Sequence, residues 1–218
     1  MTRRQIHFAV ARLRRDVSRW KTPVVGVVAN ATQDPFRILV ACLLSLRTKD
    51  ATTAAAAERL FALAATPRTL GQLSVRAIER AIYPVGFYRT KARTLIALCA
   101  SLLTRFDGRV PDTIEELVSL PGVGRKTANL VVTLGFGKPG ICVDTHVHRI
   151  TNRWGYVRTR TPEETEQALR RKLPAQYWIE FNDLLVPYGQ HQCTPTSPFC
   201  SRCGLFRWCR RVGVLRHR

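Results

Sequence analysis

Three groups of residues in this chain have the types and spacing to do chemistry. The first is Leu120-Pro121-Gly122-Val123-Gly124-Arg125-Lys126. Two glycines one residue apart permit a tight turn and strip side chains from the backbone there. The N–H groups of such a turn, and of a helix that starts behind it, point outward and cradle an anion such as phosphate. A bare PGVG is more often an ordinary interhelical turn. Lys126 shifts that balance, because it falls in the first helical turn beyond the cradle. A lysine amine attacks aldehyde-like carbon and forms Schiff bases; its plainer role is a phosphate contact. The second group is Val143-Asp144-Thr145-His146. Asp before Thr at a helix start is first of all an N-cap. Capping and catalysis are compatible, since a capped carboxylate is rigidly held. The third group is Cys193, Cys200, Cys203 and Cys209, spaced C-x6-C-x2-C-x5-C. Four thiolates so close in sequence suit structural zinc or a [4Fe–4S] cluster, and their chemistry alone does not choose.

Helices must hold these groups. Ile6, Val10, Leu13, Val17 and Trp20 step by four and three, which predicts an N-terminal helix with one apolar face. Pro23 stops it, and the stretch from Thr22 to Pro35 reads as loop or briefly extended chain. Asp34-Pro35 is a start signal for the next helix, over about Phe36 to Leu46. Further helical patterns cover Asp50 to Ala64, parts of Thr66 to Ile82, Tyr88 to Phe106, Thr113 to Ser119 and Arg125 to Leu134. No alternation of strand length appears, so the fold class is all-α. The last part changes character: no carboxylate follows Asp183, while arginines persist and the four cysteines gather there.

Lysine and arginine number 35 against 15 acidic residues, a net charge of +20 in 218 residues. Such an excess points to a polyanionic partner, nucleic acid first and an acidic membrane surface second. The longest apolar run, Ile38 to Leu46, is far short of the roughly 20 residues of a spanning helix. Arg12, Arg14 and Arg15 interrupt any secretion signal. An intracellular protein without a membrane span is expected, and in a reducing compartment metal ligation is a better use of cysteine than disulfides. Cys42, Cys99 and Cys142 lie in apolar runs and are expected in the core.

LPGVGRKTAN followed by GFGKPGICVDTH resembles the helix-hairpin-helix and Gly/Pro…Asp signature of DNA glycosylases. A lysine inside that motif is similar to the endonuclease III family of bifunctional glycosylases and abasic-site lyases. The resemblance extends to Leu43-Leu44-Ser45 with Thr48-Lys49-Asp50, to Val85-Gly86-Phe87-Tyr88 and to the cysteine block, from about Pro35 to Cys209. It implies an all-α fold of two lobes with a DNA-binding cleft between them. One lobe is a six-helix barrel over 28–138, with the helix-hairpin-helix at about 113–134. The other joins 1–27 to 139–218 and carries a [4Fe–4S] loop at 193–209. By matching motif positions, Lys126 is the Schiff-base nucleophile and Asp144 the essential carboxylate. Leu120, Gly122, Val123, Gly124 and Arg125 form the DNA-gripping hairpin. Phe87 is the wedge that fills the space of an extruded nucleotide, its plainer role being a core aromatic. Arg47 stands at the position that fills the void behind the flipped base and bears on opposite-base contacts. His146 is a pocket residue or, equally, a structural helix-start histidine. Cys193, Cys200, Cys203 and Cys209 hold the cluster. The implied substrate is duplex DNA carrying a damaged base, an oxidised pyrimidine by family default, or an abasic site. An intracellular monomer is expected, in the cytoplasm or nucleoid if the source is a bacterium.

The chain departs from the family pattern in places. Arg47 stands where glutamine is common, and arginine can pair bidentately with guanine. Val118 replaces an acidic residue that some members carry. The loop Thr194–Phe199 lacks the usual basic residues, which shifts expected phosphate contacts to Arg202 and the arginines after it. Two rival functions are a monofunctional mismatch or uracil glycosylase and a non-enzymatic DNA-binding module with a zinc knuckle. Lys126 argues against the first, and Lys126 with Asp144 against the second.

Overall fold

The structure, a computed structural model, describes residues 1–20, 28 and 32–218. Among them there are helices, turns and loops and no strand, as the apolar periodicity requires. The chain divides into two compact units, Val24–Lys138 and Met1–Pro23 with Pro139–Arg218. The N-terminal boundary expected at 27/28, the stop at Pro23 and most of the loop after it fall outside the described residues.

In the unit Val24–Lys138, helices α2 (Pro35–Ser45), α3 (Asp50–Leu63), α4 (Pro67–Gly71), α5 (Val75–Ile82), α6 (Tyr88–Arg105), α7 (Ile114–Val118) and α8 (Arg125–Leu130) follow in order. Asp34 starts α2 as predicted: its side chain accepts from the Phe36 N–H at 2.9 Å, and Pro35 occupies the first turn. Every residue of α2 from Ile38 to Leu44 is buried. A helix apolar all round belongs in a core, and α2 packs on α3, α6, α8 and the segment after α8. That segment, Val131–Gly135, is a π-helical continuation of α8. π-turns are rare and often mark functional sites.

The other unit begins with α1 (Arg3–Val17) and continues with α9 (Thr145–Arg153), α10 (Pro162–Lys172) and α11 (Phe181–His191), with short 3₁₀ turns at Ala175–Tyr177, Cys200–Arg202 and Phe206–Trp208. Ile6, Val10 and Leu13 face its core, with Val17 and Trp20 at the edge. Helix α1 ends at Val17, before Pro23 is reached. Ile150, Trp154, Phe181, Leu185 and Tyr188 complete the interior, and three of the four clustered cysteines pack against it. No helix among the described residues is long and apolar enough to cross a membrane.

Candidate nucleic-acid interface and cysteine site

The hairpin is built from both ends. Thr113 caps α7, its hydroxyl accepting from the Glu116 N–H. Arg105 of α6 braces the exit, donating to Ser119 Oγ at 2.8 Å. Leu120 and Val123 bury their side chains in the core, and the Val123 N–H closes the turn on the Leu120 carbonyl at 3.2 Å. Between them Gly122 has φ +75°, and a Cβ there would sit 2.4 Å from Thr94 Cγ2 on α6. Only glycine fits both conditions. Gly124 starts α8 with open space around it and no side-chain cap of its own. Arg125 is half-buried, and Lys126 is exposed in the first turn. The Lys126 charge also lies close enough to Cys42 of α2 to oppose the burial that pushes that thiol up to about 12. Cys99 and Cys142 are buried like Cys42, in keeping with their apolar sequence setting.

Arg47 and Phe87, widely separated in sequence, meet in the same unit. The Arg47 guanidinium lies over the Phe87 ring, 5.6 Å from its centroid. Phe87 is 61% exposed, so it is not a core aromatic. Both residues adopt left-handed backbone, with φ 53° and 59°. For non-glycine residues that costs on the order of 1–3 kcal/mol each and is typical of functional sites. Thr48 Oγ1 accepts from the Gly86 N–H at 3.1 Å and joins the two loops. Lys91 of α6 reaches the same place; burial pulls its ammonium down to about 8.

Asp144 caps α9. Its Oδ1 accepts from the His146 and Val147 N–H groups at 2.8 and 2.9 Å, and the residue is 9% exposed. His146 turns toward Arg149, whose Nη2 lies 3.1 Å from His146 Nδ1. The same Nη2 donates to the carbonyls of Gly189, 3.0 Å, and Cys193, 2.9 Å. Burial lowers the Arg149 pKa, and the nearby Cys193 thiol and Asp144 carboxylate partly restore it.

Cys193, Cys200, Cys203 and Cys209 line one partly open pocket, together with Arg153, Trp154 and Tyr188. Arg153 Nη1 donates to the Thr194 carbonyl at 2.7 Å and to Cys193 Sγ at 3.5 Å. The Tyr188 hydroxyl lies 3.0 Å from Cys203 Sγ. Burial first, then the neighbouring thiolates, push Cys209 up to about 11, and burial also raises Cys200 and Cys203. Four thiols lining one pocket are the donor set of a metal-thiolate site. Donors to the sulfurs and a nearby arginine suit a thiolate-bound cluster.

Sequence reasoning did not single out Lys91, Arg149, Arg153 or Tyr188. The i, i+4 spacing of Arg149 and Arg153 was a signal for one shared face, but their carbonyl partners lie some forty residues on. Arg202 and Arg211, expected to contact phosphate, stack on Phe199 and Phe206 at 4.0 and 4.3 Å, and Arg211 also donates to the Phe206 and Cys209 carbonyls.

The family model described as HhH-GPD superfamily base excision DNA repair protein matches residues 40–175. Endonuclease III of Thermotoga maritima is 47% identical over 176 residues, 81% of this chain and 83% of that one. The chain belongs to the endonuclease III family. Among solved structures, the protein of a non-covalent endonuclease III–DNA complex aligns with a TM-score of 0.85 at 34% identity, over 97% of this chain and 96% of that one. The protein of a trapped endonuclease III–DNA covalent intermediate aligns at 0.83 and 33%, over 97% of each. The chain spans about half of a longer family member, the chloroplastic endonuclease III homolog 2 of Arabidopsis thaliana, at 44% identity over 183 residues, 80% of this chain and 47% of that one.

Proposed function

We propose that this protein is a base excision repair DNA glycosylase with abasic-site lyase activity, acting inside the cell on duplex DNA that carries a damaged base. The observation that carries the reading is Lys126 in the first turn behind a glycine hairpin, in a chain of the endonuclease III family. A relative trapped covalently on DNA supports a covalent mechanism.

The chemistry has to break a C1′–N bond. A base inside the stack is out of reach, so the nucleotide is first extruded, with Phe87 filling the gap and Arg47 beside it meeting the opposite strand. Backbone N–H groups at Gly122 and Gly124, with Arg125, grip the phosphates, Val123 closes the turn between them, and His146 lines the pocket. The Lys126 amine donates its electron pair to C1′ and forms a new N–C1′ bond; the bond to the base breaks, and the base leaves with that bond's electrons and gains a proton. Asp144 stabilises the positive charge that develops on the sugar, or takes the proton lost from the attacking amine. The sugar ring opens to an iminium, which acidifies a C2′ proton. Loss of that proton expels the 3′ phosphate by β-elimination, and water then releases Lys126. With water as the first nucleophile only the base would leave, so the lysine makes the lyase.

Cys193, Cys200, Cys203 and Cys209 would hold a [4Fe–4S] cluster. When bound it supplies a rigid cross-link for a tail too short to bury a core of its own.

A panel of duplexes tests the reading, each with one oxidised pyrimidine, uracil, mismatch or abasic site, scored separately for base release and strand cleavage. Coupled release and cleavage on an oxidised pyrimidine is expected. Release without cleavage would make the protein monofunctional. Binding with neither would make it a non-enzymatic module.

A further inference from the structure

Lys91 is absent from the chemistry above, yet its ammonium is held by three oxygens. It stands in the first turn of α6, and its backbone N–H donates to the Phe87 carbonyl at 3.0 Å. Its side chain runs to the end of α2. There Nζ donates to the Leu44 carbonyl at 2.8 Å, the Leu46 carbonyl at 2.6 Å and Thr48 Oγ1 at 3.3 Å. An ammonium has three N–H donors and no acceptor, so these oxygens use it fully. Thr48 is used fully as well. Its hydroxyl donates to the Leu46 carbonyl at 3.2 Å and accepts from both Lys91 and the Gly86 N–H. A Cβ on Gly86 would lie 2.6 Å from the Arg47 carbonyl oxygen, so the two loops touch through their backbones.

The residues at the tips of these loops are Arg47 and Phe87, both held in left-handed backbone. Such conformations persist only where the surroundings over-determine them. The network around Nζ supplies that constraint. It anchors the Arg47 loop to the negative end of α2, where a cation is favoured. It anchors the Phe87 turn through the Lys91 backbone and through Thr48.

We infer that Lys91 is a positioning residue for base extrusion: it clasps the Arg47 and Phe87 loops into one unit, so that both side chains enter the duplex together. The inference rests on the reading of Arg47 and Phe87 as the inserting residues. A helix-end cap with no role in DNA would make the same hydrogen bonds, so the test must separate extrusion from stability.

Lys91→Met keeps the length of the side chain and removes every donor. Single-turnover base release from a duplex with one oxidised pyrimidine should slow roughly ten- to a hundred-fold, the scale of losses from small misplacements. Cleavage of an abasic site in a single-stranded oligonucleotide, which needs no extrusion, should change less than about three-fold. The double variant Lys91→Met/Phe87→Ala should lose clearly less than the product of the two single losses, because part of the clasp acts through the wedge and only the placement of Arg47 remains to be lost. Thr48→Val breaks the same network without touching Lys91 and should show the same split between substrates, so the proposal stays open to refutation if Lys91→Met does not fold. Equal losses on both substrates, or additive losses in the double variant, would overturn it. If Phe87→Ala slows duplex release but Lys91→Met and Thr48→Val do not, the clasp fails and the wedge stands. If neither Phe87→Ala nor Arg47→Ala affects duplex release, the insertion reading itself fails.

Discussion

Asp144 holds a helix end and is assigned a part in chemistry, and two substitutions separate the roles. Its Oδ1 accepts two backbone N–H groups at 2.8 and 2.9 Å in a buried setting. Losing an N-cap costs about 0.5–2 kcal/mol, and two short bonds to one buried carboxylate put Asp144→Ala in the upper half of that range. For a chain of this size each kcal/mol lowers Tm by about 2–4 °C, so a fall of about 2–8 °C is expected for alanine. Asn caps about as well as Asp, so Asp144→Asn should keep Tm within about 2 °C of wild type. Chemistry should respond differently. Both variants lose the negative charge that the proposed mechanism sets against the developing cation, and base release should fall about 10²–10³-fold in each. The assay pairs thermal unfolding with single-turnover base release. If Asp144→Asn releases base at the wild-type rate, the charge takes no part in the reaction. If it loses as much Tm as Asp144→Ala, the capping geometry does not explain the stability.

Other outcomes follow from the same structure. Phe87→Ala should shift Tm by less than about 2 °C, because the ring is 61% exposed and surface changes stay within about 0.5 kcal/mol; a large destabilisation would make Phe87 a core residue. Protein made with adequate iron should be yellow-brown, with about four iron and four sulfide per chain. Colourless, active protein with stoichiometric zinc would contradict the cluster. Burial, with Glu180 nearby, raises the Asp183 carboxyl from 3.8 to about 6. The folded state then binds more protons than the unfolded between those values, so the cost of the charge is complete above about pH 6 and gone below about pH 4. Asp183→Asn should therefore stabilise at pH 7.5, by up to about 3 kcal/mol, and give nothing at pH 4; calorimetry at both pH values checks it.

Much of this was legible in the residues. The stripe of Ile6, Val10 and Leu13, the Asp34-Pro35 start of α2 and the cap at Asp144 are local physics, and they hold as read. The four cysteines are close in sequence, and they line one cavity. What escaped reading is set by packing. Nothing in Val131-Val132-Thr133-Leu134-Gly135 announces a π-helix; that turn forms where the segment meets α2. Arg47 and Phe87 carry no sequence mark of left-handed backbone, which glycine normally signals. Lys91 looks like any surface lysine of an amphipathic helix until its three acceptors are seen. Arg202 and Arg211 count toward the +20 charge, yet each is stacked on a phenylalanine of its own tail.

The central claim is that Lys126 bonds covalently to the sugar of an extruded nucleotide. Borohydride trapping on a lesion duplex and on an abasic duplex tests it most directly, because only an iminium is reduced to a permanent protein–DNA bond. The wild-type protein should trap on both, with the adduct mapped to Lys126. Lys126→Gln should bind DNA and neither trap nor cleave, since glutamine has a similar reach and no nucleophilic amine. Trapping by Lys126→Gln at the wild-type level, or an adduct mapped to another residue, would contradict the account.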